Sequence, residues 1–162
     1  MAGSDAGSDA GSEPGSEAGS AWIDHVRGAH QLTELFHGAP ALPALDFTGV
    51  LVDERADSGV TLGFDAIDPP GAATSPLFAD GRNALEFFLV FAGVRDLAVT
   101  GWDHLGLRSC TIDPLDPRTP FDPVDPGTLR VALAGEGWRI DFLADSCRVE
   151  GLRSYRAAPE FG

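Results

Sequence analysis

From Pro43 onward the apolar residues recur at every second position, and this pattern limits the fold more than any other feature of the chain. Leu45, Phe47 and Leu51 share one face of the first such run, with Gly49 between them. Asp46, Thr48, Val50, Val52 and Glu54 take the other face. Ala56-Asp57-Ser58-Gly59 then reads as a turn into Val60, Leu62 and Phe64, which predicts a hairpin. Asp68-Pro69-Pro70-Gly71 ends it, and a Pro- and Ala-rich loop runs to about Gly81. Asn83 to Trp102 is the most apolar stretch, with both faces of Leu85 to Phe91 suited to a central strand. Gly93 interrupts its phase and predicts a bulge or tight turn. Short strands follow at about Leu107 to Ile112, Thr128 to Leu133, Trp138 to Leu143 and Cys147 to Leu152.

Ahead of this β-rich region lies one helical pattern. Trp22, Ile23, Val26, Ala29, Thr33 and Phe36 fall on or near one face at helical spacing. Ser20 suits an N-cap, and Gly38 and Pro40 suit a stop, which predicts a helix over residues 21–37. The fold class is therefore α+β and β-rich: one N-terminal helix, then a mainly antiparallel sheet of seven to eight strands. The expected core is Trp22, Val26, Leu35, Phe47, Leu62, Phe64, Phe87, Leu89, Phe91, Leu97, Val99, Leu129, Val131, Ile140 and Phe142.

Residues 1–20 are a four-residue repeat of Ala, Gly, Ser and one acid, holding Asp5, Asp9, Glu13 and Glu17. Such a segment cannot offset its conformational entropy by burial and is expected to be a disordered tail. A single domain is expected over 21–157, with a short C-terminal tail at 158–162.

The chain has 162 residues and a formal charge of −14. All eleven bases are Arg, so Lys-based chemistry is excluded. Without the four tail acids, 21 acids still face those 11 arginines, so the domain itself is acidic. That argues against nucleic acid or an anionic membrane as partner, because both need a cationic patch. No run approaches the roughly 18 apolar residues of a membrane span. The N-terminus shows no basic start and no apolar core, so a cytoplasmic protein with reduced thiols is expected.

Motifs that carry chemistry are absent from the sequence. His25, His30 and His37 do not form the H-x-x-x-H clip of a helical zinc site, so exposed or capping histidines and no bound metal or cofactor are expected. Cys110 and Cys147 fall in predicted strands and read as buried, unreactive thiols. There is no G-x-S-x-G, Walker or Rossmann pattern, so no enzyme is expected. The unusual segment is 112–127, IDPLDPRTPFDPVDPG, with four Asp-Pro pairs at Asp113, Asp116, Asp122 and Asp125. Each Pro pushes its Asp towards extended backbone, which stiffens the loop. It reads as a solvated acidic connection, a partner-contacting loop or a metal loop; the EF-hand pattern of oxygens is missing. Trp102, followed by Asp103 and His104, is placed at a rim, where an indole buries its ring and keeps its N–H wet.

Three stretches carry a resemblance: Phe36-x-Gly38-x-Pro40-x-Leu42 after the helix, Phe91-x-Gly93-Val94-x-x-Leu97 leading to Gly101-Trp102, and the closing Val149 to Tyr155. Over about residues 21–156 the chain resembles the immunity protein 50 family of bacterial polymorphic toxin systems. The resemblance implies a small cytosolic protein that binds and neutralises a cognate toxin, and it names no active site. Strong acidity would steer a basic toxin domain such as a nuclease. The expected contact residues are Trp102, Asp103, His104, Asp113, Asp116, Asp122 and Asp125. The alternative is a non-enzymatic β-rich ligand-binding or regulatory module, marked by a pocket lined by Phe87 and Phe91.

Overall fold

The computed structural model describes residues 21–55, 58–102, 106–116, 118 and 127–158. The acidic repeat, the Ser20 cap, Ala56 and Asp57 of the first turn, and residues 159–162 lie outside the described residues. Eight strands form: β1 (Asp46–Asp53), β2 (Gly59–Ile67), β3 (Ala84–Ala92), β4 (Arg95–Thr100), β5 (Leu107–Pro114), β6 (Leu129–Gly135), β7 (Trp138–Ala144) and β8 (Ser146–Tyr155). They make two four-stranded antiparallel sheets in place of the single sheet expected, in the orders β1-β2-β3-β8 and β4-β7-β6-β5.

The division into two sheets comes from two strands that bend together. β3 continues into β4, and β7 continues into β8. Their pairing passes through the bend, with Ala92 opposite Ser146 on one side and Arg95 opposite Leu143 on the other. Strands that change sheet at a corner are a standard way to fold one layer over another. Gly93 makes the bend at φ 64°, and a Cβ there would collide with the Asp145 carboxylate. Asp145 N donates to Ala92 O at 2.9 Å, and Arg95 Nη1 donates to Asp145 Oδ1 at 2.7 Å.

Between the sheets the alternating residues form one core. Phe64, Phe87, Leu62, Leu85, Leu89 and Phe91 are fully buried from the first sheet; Leu129, Val131, Leu133 and Phe142 meet them from the second. Phe91 and Phe142 contact edge to face across the interface, with centroids 5.1 Å apart. Phe47 on β1 stacks over Trp138 on β7 at 6.1 Å. Each buried Phe contributes about 2–3 kcal/mol by removal from water, so these rings carry much of the stability.

Of the expected core residues, Trp22 and Phe47 are partly buried and two are exposed. Leu97 is 37% and Val99 50% exposed, because β4 is an edge strand of the second sheet. The phase of β1 also differs from the sequence pattern. Phe47 pairs with Phe64 but Gly49 pairs with Gly63, so Thr48 is an extra residue in a bulge. Beyond it the faces exchange: Val50 and Val52 follow the core phase and Leu51 stands 63% exposed.

The helix expected over 21–37 is broken. A 3-10 turn spans Trp22–His25, Val26 is extended, and α1 covers only His30–Phe36. The break has a purpose in the pairing: Arg27 N donates to Cys147 O, and Val149 N donates to Arg27 O, both at 2.9 Å. The segment thus adds to the free edge of β8. Leu32 and Leu35 of α1 are buried, and Trp22 Nε1 donates to Pro40 O at 2.8 Å. His37 caps α1 in the left-handed region. The expected loop before Gly81 holds 3-10 turns at Ala72–Thr74 and Pro76–Gly81, the latter kinked.

Candidate interaction surface

Trp102 follows directly on β4 and is 74% exposed, the most exposed large apolar side chain described. Asp113 is exposed at the end of β5, opposite Arg130 in the ladder. Asp116 is exposed, accepts from Arg118 N at 3.0 Å and pairs with the Arg118 guanidinium at 3.6 Å. Asp103, His104, Asp122 and Asp125 lie outside the described residues.

The sheet separates the two groups of expected contacts. Gly101 and Trp102 leave the second sheet beside the β6–β7 turn, where Thr100 pairs with Arg139. The acidic segment leaves at the other end, where Leu115 N donates to Thr128 O at 2.8 Å and closes its base. Arg95, the first residue of β4, donates to Thr128 Oγ1 at 2.8 Å. β4 therefore runs from the root of the acidic segment to Trp102. Its six residues put about 20 Å between them.

Among the described residues, the margin along β4 is open. β1 and β4 are both edge strands, and no described strand joins them. Val52 is opposite Val60 and Val99 is opposite Ile140, so both point to the core side. They are nevertheless 48% and 50% exposed. Val52, Asp53, Glu54, Val94, Arg95, Asp96 and Leu97 line a groove between the two strands. The opposite margin, between β8 and β5, is covered by the N-terminal segment through Arg27, Ile23 and Leu42.

A second acidic feature crosses the outer face of the first sheet. Asp46, Asp65 and Glu86 stand directly opposite one another on β1, β2 and β3, and Arg153 follows on β8. Like charges in one row are unfavourable. Here Arg153 pairs with Glu86, and the Tyr155 hydroxyl donates to Asp65 Oδ2 at 2.8 Å. That hydrogen bond to the carboxylate holds the Tyr155 phenol above its ordinary range. The sequence signal for this row was a charged residue at an outward position in three apolar strands; its alignment depends on register, which the Thr48 bulge alters.

The arginines are largely occupied. Arg55, Arg95, Arg108, Arg118, Arg139, Arg148 and Arg153 each hold an acid in an ion pair. Among the described residues, Asp46, Glu54, Asp96 and Asp113 enter no ion pair. With a formal charge of −14, the net field is negative.

The thiols and histidines behave differently from a reactive site. Burial pushes Cys110 up to about 12, and Cys147 higher, with the nearby Cys110 adding to the effect. A catalytic thiol needs the opposite shift. His25 is buried, 3% exposed, against the expectation of exposed or capping histidines; the break after it turns its side chain into the core. His30 pairs with Glu34 at 3.1 Å on the surface of α1. Among the described residues no three His, Cys, Asp or Glu side chains are grouped to hold a metal. Phe87 and Phe91, the expected lining of a ligand pocket, are fully buried against Phe64 and Phe142.

Comparison of the chain with protein-family models, with curated proteins and with solved structures gives no match.

Proposed function

We propose that this chain is a binding protein of the immunity type, which neutralises a basic bacterial toxin domain in the cytoplasm by stoichiometric association. The observation that supports this reading best is the state of the arginines. Seven are already held in ion pairs, while the chain keeps a formal charge of −14. The net negative field that remains after all eleven arginines are counted favours an external cation and speeds its arrival. The two packed sheets supply the stiff scaffold that a preorganised interface needs. A nuclease is the natural target, because the cleft that receives its polyanionic substrate is cationic.

The test is to purify the chain together with the C-terminal domain of a large secreted protein encoded beside its gene. The reading predicts an equimolar complex whose association slows as salt rises. Failure of the two to associate at low salt would overturn it.

A further inference from the structure

Among the described residues, the chain closes one margin of its two-sheet core and leaves the other open. At the closed margin a segment of the chain itself lies along an edge strand, with Arg27 exchanging two backbone hydrogen bonds with β8. At the open margin Val52, Leu97 and Val99 are 48%, 37% and 50% exposed, although Val52 and Val99 are in phase with the core. The free edge of β4 carries a row of backbone groups available to another strand.

We propose that an extended segment of the partner protein adds to β4 at this margin and covers Val52, Leu97 and Val99. The proposal rests on the binding reading above and names its surface. Charge selects the occupant. At the mouth of the groove Arg55 is tied to Asp53 and Arg95 to Asp145, which leaves Glu54 and Asp96 without an ion pair among the described residues. The fitting segment is apolar on one face and carries Arg or Lys near its end at the corner. A second copy of the chain brings its own charge of −14 to the same place, and the acidic repeat of residues 1–20 is repelled likewise. Strand addition supplies affinity through the main chain, and the alternate side chains supply selectivity. Trp102, at the far end of β4, gives the docked segment an aromatic surface to pack on.

The probe is a synthetic ten-residue peptide of alternating Val and Thr with Arg at both ends. Its control is the same peptide N-methylated at alternate residues, which cannot donate to the ladder. The expected result is saturable one-to-one binding with a change in tryptophan emission and slowed exchange of the β4 amides. N-methylation should weaken binding by at least about tenfold, and Leu97→Arg or Val99→Arg should do the same with unchanged circular dichroism. Both positions are exposed, so the variants should fold; if they do not, the N-methylated peptide on the native chain decides alone. Equal binding of the two peptides, indifference to both Arg variants, or no saturation by about millimolar peptide would overturn the proposal. Self-association of the native chain that Leu97→Arg abolishes would assign the margin to a second copy and overturn it too. An intact toxin complex indifferent to both Arg variants would remove this surface and leave the binding reading standing. Absence of any toxin complex would remove that reading, while the peptide titration still decides the edge.

Discussion

The Tyr155 hydroxyl donates to Asp65 Oδ2 at 2.8 Å, reaching from β8 past β3 to β2. Tyr155 is the chain's single tyrosine, so phenolate absorbance near 295 nm reports this contact alone. The folded protein should titrate above the ordinary tyrosine value, and Asp65→Asn should bring it back down. The sign for stability follows: the contribution is full below the unfolded value and is lost as pH rises through the raised one. Tyr155→Phe should cost about 1 kcal/mol in denaturant unfolding, the usual net worth of one hydrogen bond.

Both thiols should be silent in the native state. Burial holds Cys110 up to about 12 and Cys147 above it, so neither supplies thiolate at pH 8. A disulfide reagent such as DTNB should modify neither until denaturant is added, and then both. The unfolded thiols ionise near pH 8.5, so stability should fall as pH rises from about 9 towards about 12. Cys147 is buried and Cys110 half-buried, so rapid native reaction of Cys147 would contradict this placement most directly.

At the corner, Gly93 and Asp145 should behave as a coupled pair. Gly93→Ala forces a left-handed backbone on a residue with a Cβ and drives that Cβ into the carboxylate, at a cost of about 2–3 kcal/mol. Asp145→Ala should cost less than about 1 kcal/mol, because its ion pair with Arg95 is largely exposed. The double variant should be more stable than the sum of the two losses, since the two closest contacts, Oδ2 and Cγ, are gone and only the Cβ approach at 2.9 Å remains. Simple additivity in urea unfolding would show that the collision is not there.

Reversing Asp113 and Asp116 to Lys should slow association with a basic partner by on the order of tenfold at low salt, with dissociation little changed. The same variants should flatten the salt dependence of the rate. Unchanged rates would take the acidic segment out of the interface.

Strand positions were legible in the sequence because alternation survives in most strands: Val60, Leu62 and Phe64, or Ile140 and Phe142, point where their spacing says. What was not legible depends on partners far along the chain. Thr48 gives no sign of its bulge, so Leu51 reads as inward and is exposed. Leu97 and Val99 have core spacing, but only sheet order shows that β4 is an edge. The break at Val26 arises because Arg27 pairs with β8, a contact more than a hundred residues away. Trp102 could be placed at the surface from its polar neighbours, but the buried ring expected at a rim is not found, since the side chain is 74% exposed. Its separation from Asp113 and Asp116 could not, since it follows from the pairing of β4 with β7, β7 with β6 and β6 with β5.

We propose that this protein acts by occupying its partner, with no chemistry of its own. Titrating a fixed amount of the neighbouring toxin domain with increasing amounts of this protein, and following toxin activity, tests it most directly. Activity should fall linearly and reach zero at one equivalent, with active toxin recovered after dissociation in high salt. Complete and lasting loss of toxin activity at a small fraction of an equivalent would contradict it.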